Sequence, residues 1–239
     1  MRDGSSVAAI QWPPLIKGTL IRRYKRFIAD IRLPDGRVVT AHCPNSGSMK
    51  GCCEPGRVVY LSEHNNPKRK LRYTWQLIDM GTSLVGINTL IPNRLVKGAI
   101  SVGAIEKIAG YKEIRTEVRY ARNSRVDILL TRGAELCYVE VKNCTLVEDG
   151  TALFPDAVTA RGLKHLVDLQ EEVRQGHRAV MFFLVQRMDA LRFSPADAID
   201  PAYGRELRRA VEAGVEVLAY DVCIDLEKIW LNHRLEVIL

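Results

Sequence analysis

Three charged residues sit inside two apolar runs, and they limit what this chain can fold into more than any other feature. Asp127 lies in Val126-Asp127-Ile128-Leu129-Leu130, and Glu140 and Lys142 lie in Tyr138-Val139-Glu140-Val141-Lys142. Both runs have strand character, and Arg132-Gly133 between them marks a turn. Strand side chains alternate between faces, so Glu140 and Lys142 share one face and Val139 and Val141 the other. A hairpin would bring Asp127 beside Glu140. Charges within apolar strands are costly unless something pairs with them. A plain Glu-x-Lys surface ion pair would satisfy two of the three at little gain. A divalent cation, Mg2+ or Mn2+, would satisfy both carboxylates and leave places for water and a phosphate oxygen. Two acids and a lysine in that arrangement are the parts that metal-dependent phosphodiester hydrolysis needs.

The surrounding elements set these strands in a second domain. Residues 98–108 read as a weak helix, and 114–120, 126–130 and 135–143 as three strands. Residues 159–175 repeat apolar positions at helical spacing, with Thr159 to cap the start and Gly176 the end. A strand over 179–186, a helix opened by Asp200-Pro201 and closed by Gly214, and a strand over 215–220 follow. The order is α-βββ-α-β-α-β. Before it, residues 15–24, 26–33, 37–43, 57–62 and 71–80 read as five short strands, with turns at Pro34-Asp35-Gly36 and Glu54-Pro55-Gly56. Such spacing suits a small OB-like barrel, and an SH3-like barrel as well. The composition changes after Gly81. The expectation is therefore a two-domain α+β / α/β chain, with a basic barrel over 1–85 and a mixed-sheet domain over 86–239.

Charge follows the same division. The net charge is +7 over 239 residues, but residues 1–85 carry +8 and residues 86–239 carry −1. A clustered excess points to a polyanionic partner, nucleic acid above all. No apolar run approaches the length of a membrane helix, and the first residues do not resemble a secretion signal, so a cytoplasmic protein is expected. The six cysteines form no C-x-x-C pair, and reduced thiols are expected. His42, Cys43, Cys52, Cys53 and His64 fit no common zinc spacing.

Two stretches of the first domain mix cations with aromatics: Arg22-Arg23-Tyr24-Lys25-Arg26-Phe27, and Lys68-Arg69-Lys70-Leu71-Arg72-Tyr73-Thr74-Trp75. Cations follow phosphates and aromatics stack on bases in single-strand binders. Strand alternation sends about half of these aromatics into the barrel core instead. The loop Asn45-Ser46-Gly47-Ser48 is rich in small donors suited to a phosphate. On helix 159–175, Arg161, Lys164, His165 and Asp168 share one face, read either as a phosphate clamp or as a solvated surface. Glu117 is a candidate third metal ligand from the first strand, with Glu106 as its competitor.

Six stretches together resemble the sugar fermentation stimulation protein A family of bacteria and archaea: Cys43-Pro44-Asn45-Ser46-Gly47-Ser48-Met49, Ser124-Arg125-Val126-Asp127, Val139-Glu140-Val141-Lys142, Phe154-Pro155-Asp156-Ala157-Val158-Thr159, Arg161-Gly162-Leu163-Lys164-His165-Leu166 and Arg192-Phe193-Ser194-Pro195. They span nearly the whole chain. The resemblance implies an N-terminal OB-like domain and a C-terminal PD-(D/E)-x-K nuclease-like, that is restriction-endonuclease-like, domain. It makes Asp127 and Glu140 the acids and Lys142 the lysine. It also implies DNA binding and a link to sugar, particularly maltose, metabolism gene expression. The chain departs from the pattern at Gly51-Cys52-Cys53-Glu54, and Val126 stands where the superfamily name has proline.

The leading expectation is a DNA-binding, metal-dependent nuclease. A DNA-binding regulatory protein that uses the nuclease fold as a scaffold is the alternative, and an RNA-processing factor a third. The absence of an evident helix-turn-helix weakens a conventional repressor.

Overall fold

The computed structural model describes residues 8–120 and 124–239. A first strand, β1 (Ala9–Gln11), precedes the barrel strands β2 (Leu15–Tyr24), β3 (Ile28–Arg32), β4 (Val38–His42), β5 (Val58–Glu63), β6 (Tyr73–Asp79) and β7 (Leu84–Gly86). The sheet runs β4-β3-β2-β5-β6-β7 and closes through a parallel pairing of β4 with β6 at Ala41 and His42. Closure hides the open strand edges. Leu20, Ile31, Leu61, Trp75 and Ile78 fill the interior. Gly18 lets β2 press on β3: a Cβ there would lie 2.5 Å from Ile31 Cγ2. The OB-like barrel read from strand spacing is thus present, with β7 as an additional short strand.

The second domain begins with α1 (Ile91–Ser101) and a single 3-10 turn over Glu106–Ile108. This corrects the helix expected over 98–108, which starts earlier and has ended by Gly103, at φ +71. Pro92 sits in the first turn, where its missing N–H breaks no hydrogen bond, so it opens the helix. Then come β8 (Glu113–Tyr120), β9 (Ser124–Arg132), β10 (Glu135–Cys144), β11 (Leu146–Glu148), β12 (Thr151–Phe154), α2 (Ala160–Arg174), β13 (Arg178–Val185), β14 (Arg192–Pro195), α3 (Pro201–Glu212), β15 (Glu216–Ile224), β16 (Lys228–Arg234) and β17 (Glu236–Val237).

The main sheet has the order β1-β16-β15-β13-β10-β9-β8, and a small sheet the order β11-β12-β14-β17. Strand β10 pairs antiparallel with β9 and parallel with β13. Helix α1 covers one face, packing Leu95, Val96 and Ala99 with Ile128, Val139 and Phe182. Helices α2 and α3 cover the other, where Leu166, Leu169 and Leu207 pack with Val126, Met181 and Phe183. Asp200 ties the two helices: its Oδ1 accepts from Tyr203 N at 3.0 Å and its Oδ2 from Thr159 N at 2.9 Å. Thr159 caps α2 as expected, accepting from Gly162 N at 3.0 Å.

The barrel is docked onto the second domain by apolar packing, where Leu77, Tyr60 and Leu84 join the core beneath α1, and by polar contacts. Thr82 donates to Asp189 at 2.7 Å, Thr89 to the Pro44 carbonyl at 2.9 Å, and Lys50 pairs with Glu148 at 3.2 Å. The barrel sheet ends at Gly86, one residue past the division at 85/86, and β1 joins the main sheet of the second domain. All six cysteines are free thiols. Cys52 lies buried against Thr145, and burial pushes its thiol up to about 12. Among the described residues no helix is long and apolar enough to cross a membrane.

Candidate active site

The β9–β10 ladder ends at the Ile128–Val139 pair, and Asp127 and Glu140 follow it on the two strands, where Asp127 reaches the Val141 N–H. Glu140 and Lys142 do share a face, the one covered by α2. Lys142 Nζ donates to Glu140 Oε1 at 2.7 Å, with side chains only 13% and 3% exposed. The pair is therefore not a surface ion pair of negligible worth. It lies where a lost partner leaves an uncompensated charge. His165, from α2, also meets Glu140 Oε1 through Nδ1, and Arg161 Nε approaches His165 Nε2 at 3.4 Å. That pairing fits a histidine donating from Nδ1 and accepting at Nε2. Buried His165 thus orients Glu140, which differs from the phosphate clamp considered for it. Burial pushes the Glu140 carboxyl up, but the His165 hydrogen bond and the Lys142 charge more than offset this and hold it below its ordinary value.

Asp127 is held differently. Its Oδ1 accepts from Asn93 Nδ2 at 2.7 Å and its Oδ2 from Val141 N at 2.8 Å. Burial, and then the nearby Glu140 charge, push its carboxyl up to about 6. Glu140 Oε2 is buried without any hydrogen-bond partner. An orphaned carboxylate oxygen beside a second acid of raised pKa fits a cation between them, because positive charge would relieve both. Among the described residues no group of three or more His, Cys, Asp or Glu stands close enough to hold a metal.

Glu117 does not join them. It is exposed on edge strand β8 at φ +54. Glu106 lies in the 3-10 turn, also exposed. Lys164 Nζ donates to Ser124 Oγ at 2.9 Å and lies 3.8 Å from Asp168, next to the site. Asn93 was not signalled by the sequence: a lone asparagine after Pro92 reads as a turn residue, and only the fold aims it at Asp127.

The acids lie at the bottom of a cleft of about 520 Å3 between the domains. Asn45, Thr89 and Asn93 line it together with Lys142, Phe154, Asp156 and Arg161. The loop at residues 45–48 reaches the cleft, but several of its donors already have partners. Gly47 N donates to Asn45 Oδ1 at 2.8 Å, and Ser48 Oγ and Met49 N both donate to Asp156 Oδ2 at 2.9 Å.

The barrel's candidate nucleic-acid residues divide into two groups. Arg23 donates to the carbonyls of Asn45 and Gly47 at 2.9 Å, bracing that loop. Arg22 pairs with Asp30 at 2.8 Å, Arg72 pairs with Glu63, and Arg69 donates to Thr74 at 2.9 Å. Lys25 and Arg26 occupy the β2–β3 turn at φ +49 and +63, and Lys68 and Lys70 are exposed in the β5–β6 loop. Of the aromatics, Trp75 is core and Phe27 is 48% exposed, while Tyr24 and Tyr73 are half-buried.

Comparison with known proteins agrees with this architecture. Residues 90–228 match the family described as the sugar fermentation stimulation protein RE domain, and residues 21–87 match the SfsA N-terminal OB domain. A sugar fermentation stimulation protein homolog of Geobacter sulfurreducens is 62% identical over 94% of this chain and 97% of its own length. The homolog of Geotalea daltonii is 60% identical over 95% and 98%. A solved structure, Pyrococcus furiosus SfsA in complex with Ca2+, superposes with a TM-score of 0.88 at 27% identity, covering 96% of this chain and 98% of that one. The barrel, the mixed-sheet domain and these matches together place the chain in the sugar fermentation stimulation protein family.

Proposed function

We propose that the protein binds nucleic acid, DNA ahead of RNA, and hydrolyses its phosphodiester bonds with a divalent cation held by Asp127 and Glu140. The observation that carries this reading is the unpartnered, buried Glu140 Oε2 beside Asp127. A scaffold that only bound DNA would gain nothing from two buried acids, which cost stability in the absence of a cation. The solved relative in complex with Ca2+ supports a site for hard cations in this family.

Each residue has a part. Mg2+ or Mn2+, when bound, supplies positive charge beside the phosphoryl oxygens and lowers the pKa of water. Lys142, at 2.7 Å from Glu140, orients the attacking water and offsets charge developing on the phosphoryl group. His165 is a positioning residue that fixes the Glu140 rotamer, and Asn93 does the same for Asp127. Arg161, on the cleft wall, meets a phosphate oxygen. The basic barrel holds the strand.

The test is a nuclease assay on DNA and RNA with Mg2+ and with Mn2+, run beside Glu140→Gln protein. Cleavage is expected from the native chain and not from the variant. Cleavage that persists in the variant would assign it to a contaminant or another site. No cleavage, together with no metal binding by calorimetry, would leave a DNA-binding scaffold.

A further inference from the structure

We propose that the cleft admits a single strand or an unpaired segment of nucleic acid and excludes an intact duplex, and that the strand enters past Lys25 and Arg26. This rests on the assignment of hydrolysis to Asp127 and Glu140, and deepens it by naming the form of the substrate.

Depth is the first argument. Glu140 is only 2% exposed, and the cleft above it holds about 520 Å3. A duplex is a rigid rod whose major groove alone is about 12 Å wide. Its backbone phosphates cannot descend to buried carboxylates between two domains while the strands remain paired. A single strand is narrower and bends at every nucleotide.

Continuity is the second. A further hollow of about 420 Å3, lined by Arg23, Arg26 and Ser48, shares Ser46, Gly47, Phe154 and Asp156 with the cleft. The two hollows adjoin at these four residues and together would make the trough by which a strand passes from the barrel to the acids. Phe154 borders both, resting on Phe183 and Tyr203 with ring centroids 5.4 and 5.3 Å away. It offers bases an apolar surface, as single-strand grooves do. Asp156 is the one acid of the shared stretch. Its carboxylate accepts from Ser48 Oγ and Met49 N, which disperse its charge.

The third argument is where the cations collect. Ile28 pairs with His42, and His42 with Thr74. This register brings the β2–β3 turn and the β5–β6 loop to one end of the barrel, so Lys25, Arg26, Lys68 and Lys70 gather at that end. Arg26 lines the trough directly.

The experiment uses the full chain with Mn2+ and three substrates: a fluorescent single-stranded oligonucleotide, the same sequence as a blunt duplex, and the small diester bis(p-nitrophenyl) phosphate. The single strand is expected to be cleaved at least about tenfold faster than the duplex. Arg26→Asn, chosen because asparagine tolerates the left-handed backbone at this position, should raise KM for the single strand about threefold to tenfold. Equal cleavage of strand and duplex, with the small diester also hydrolysed, would overturn the single-strand inference and leave hydrolysis standing. If no substrate is hydrolysed, the hydrolytic reading fails, and fluorescence anisotropy decides the path on its own. Tighter binding of the strand, weakened by Arg26→Asn, supports it. Equal or tighter binding of the duplex overturns it.

Discussion

The barrel and the cleft both concentrate charge, in opposite surroundings. On the barrel, Arg37 and Arg57 meet acids in water-exposed pairs, and the guanidiniums of Arg22 and Arg72 stay exposed while they meet the more sheltered Asp30 and Glu63. In the cleft, Lys142, His165 and Glu140 form a cluster almost closed to solvent. Water screens the first set, so its pairs are weak and exchangeable, and phosphates can compete for the cations. The second set is little screened, so losing one member strands another. The difference teaches that the barrel's excess charge suits binding, while the cleft's balanced charge suits chemistry on a bound group.

The largest effect that would break this comparison concerns turnover. Glu140→Gln should lower the rate of phosphodiester hydrolysis by about 10³-fold or more, since the cation and its electrostatic stabilisation both go. Its DNA affinity, measured by anisotropy in EDTA, should remain within about twofold if, as proposed, phosphate contacts on the barrel set it. Mn2+ at 100 times its Kd should stabilise the native chain by about 2.7 kcal/mol, and the variant far less, in thermal unfolding. A variant that loses DNA binding along with turnover would erase the division of labour.

Next comes stability. Lys142→Ala should destabilise the metal-free fold by about 3 kcal/mol, the scale for breaking a buried pair. Arg37→Ala, which removes an exposed pair with Asp35, should leave the urea midpoint unchanged. Comparable losses from the two variants would show that burial does not separate the regions.

The salt dependence of binding is a smaller effect and sharpens the barrel side. Lys68 and Lys70 are exposed, whereas Arg72 is engaged by Glu63 and Arg69 by Thr74. Replacing both lysines by alanine should flatten the slope of log affinity against log salt by about 1.4 for a single strand, near 0.7 per phosphate contact. Arg72→Ala should change it less, since Glu63 already competes for that guanidinium. The reverse order would make the paired arginines the contact surface.

How much of this was legible in the sequence follows from the same physics. Asp127, Glu140 and Lys142 stood out because charges interrupt apolar strands, a local pattern that survives without tertiary information. Thr159 was legible as a cap, since capping depends on residues three apart. His165 was not: helical spacing puts it on a face with Arg161 and Lys164, but only the packing of α2 on the sheet decides that it turns inward to Glu140. Asn93 and Asp156 depend on contacts 34 and 108 residues away, so no local pattern of charge or periodicity gives them a role, although Asp156 stands in one of the stretches that carry the family resemblance. Strands β14 and β17 are short and pair with partners far along the chain, so no turn signal announces them, whereas the β11–β12 hairpin does carry a local signal in its Asp149-Gly150 turn, both residues at positive φ.

The smallest effect is a pH response that runs in opposite directions in the two regions. Asp30 is a barrel acid whose carboxyl burial pushes up. Hydrogen bonds from Arg22, Thr40 and Tyr24 outweigh this and hold it below its ordinary value. Its folded pKa is therefore lower than its unfolded one, about 3.9. The stability it contributes is fully present above that value and is lost as the pH falls through the folded pKa. Asp127 is raised to about 6, so between that value and about 4 the native state holds a proton the unfolded chain lacks. Its contribution therefore rises as the pH falls across that window. Urea midpoints measured from pH 7 to pH 3 in EDTA should separate the two. Asp30→Asn should flatten the acid loss below about pH 4. Asp127→Asn should remove a gain between about pH 6 and pH 4 and leave the steeper acid limb in place. If both variants shift the curve in the same direction over the same window, the barrel acid and the cleft acid experience the same surroundings, and the contrast between the two regions fails at its most sensitive point.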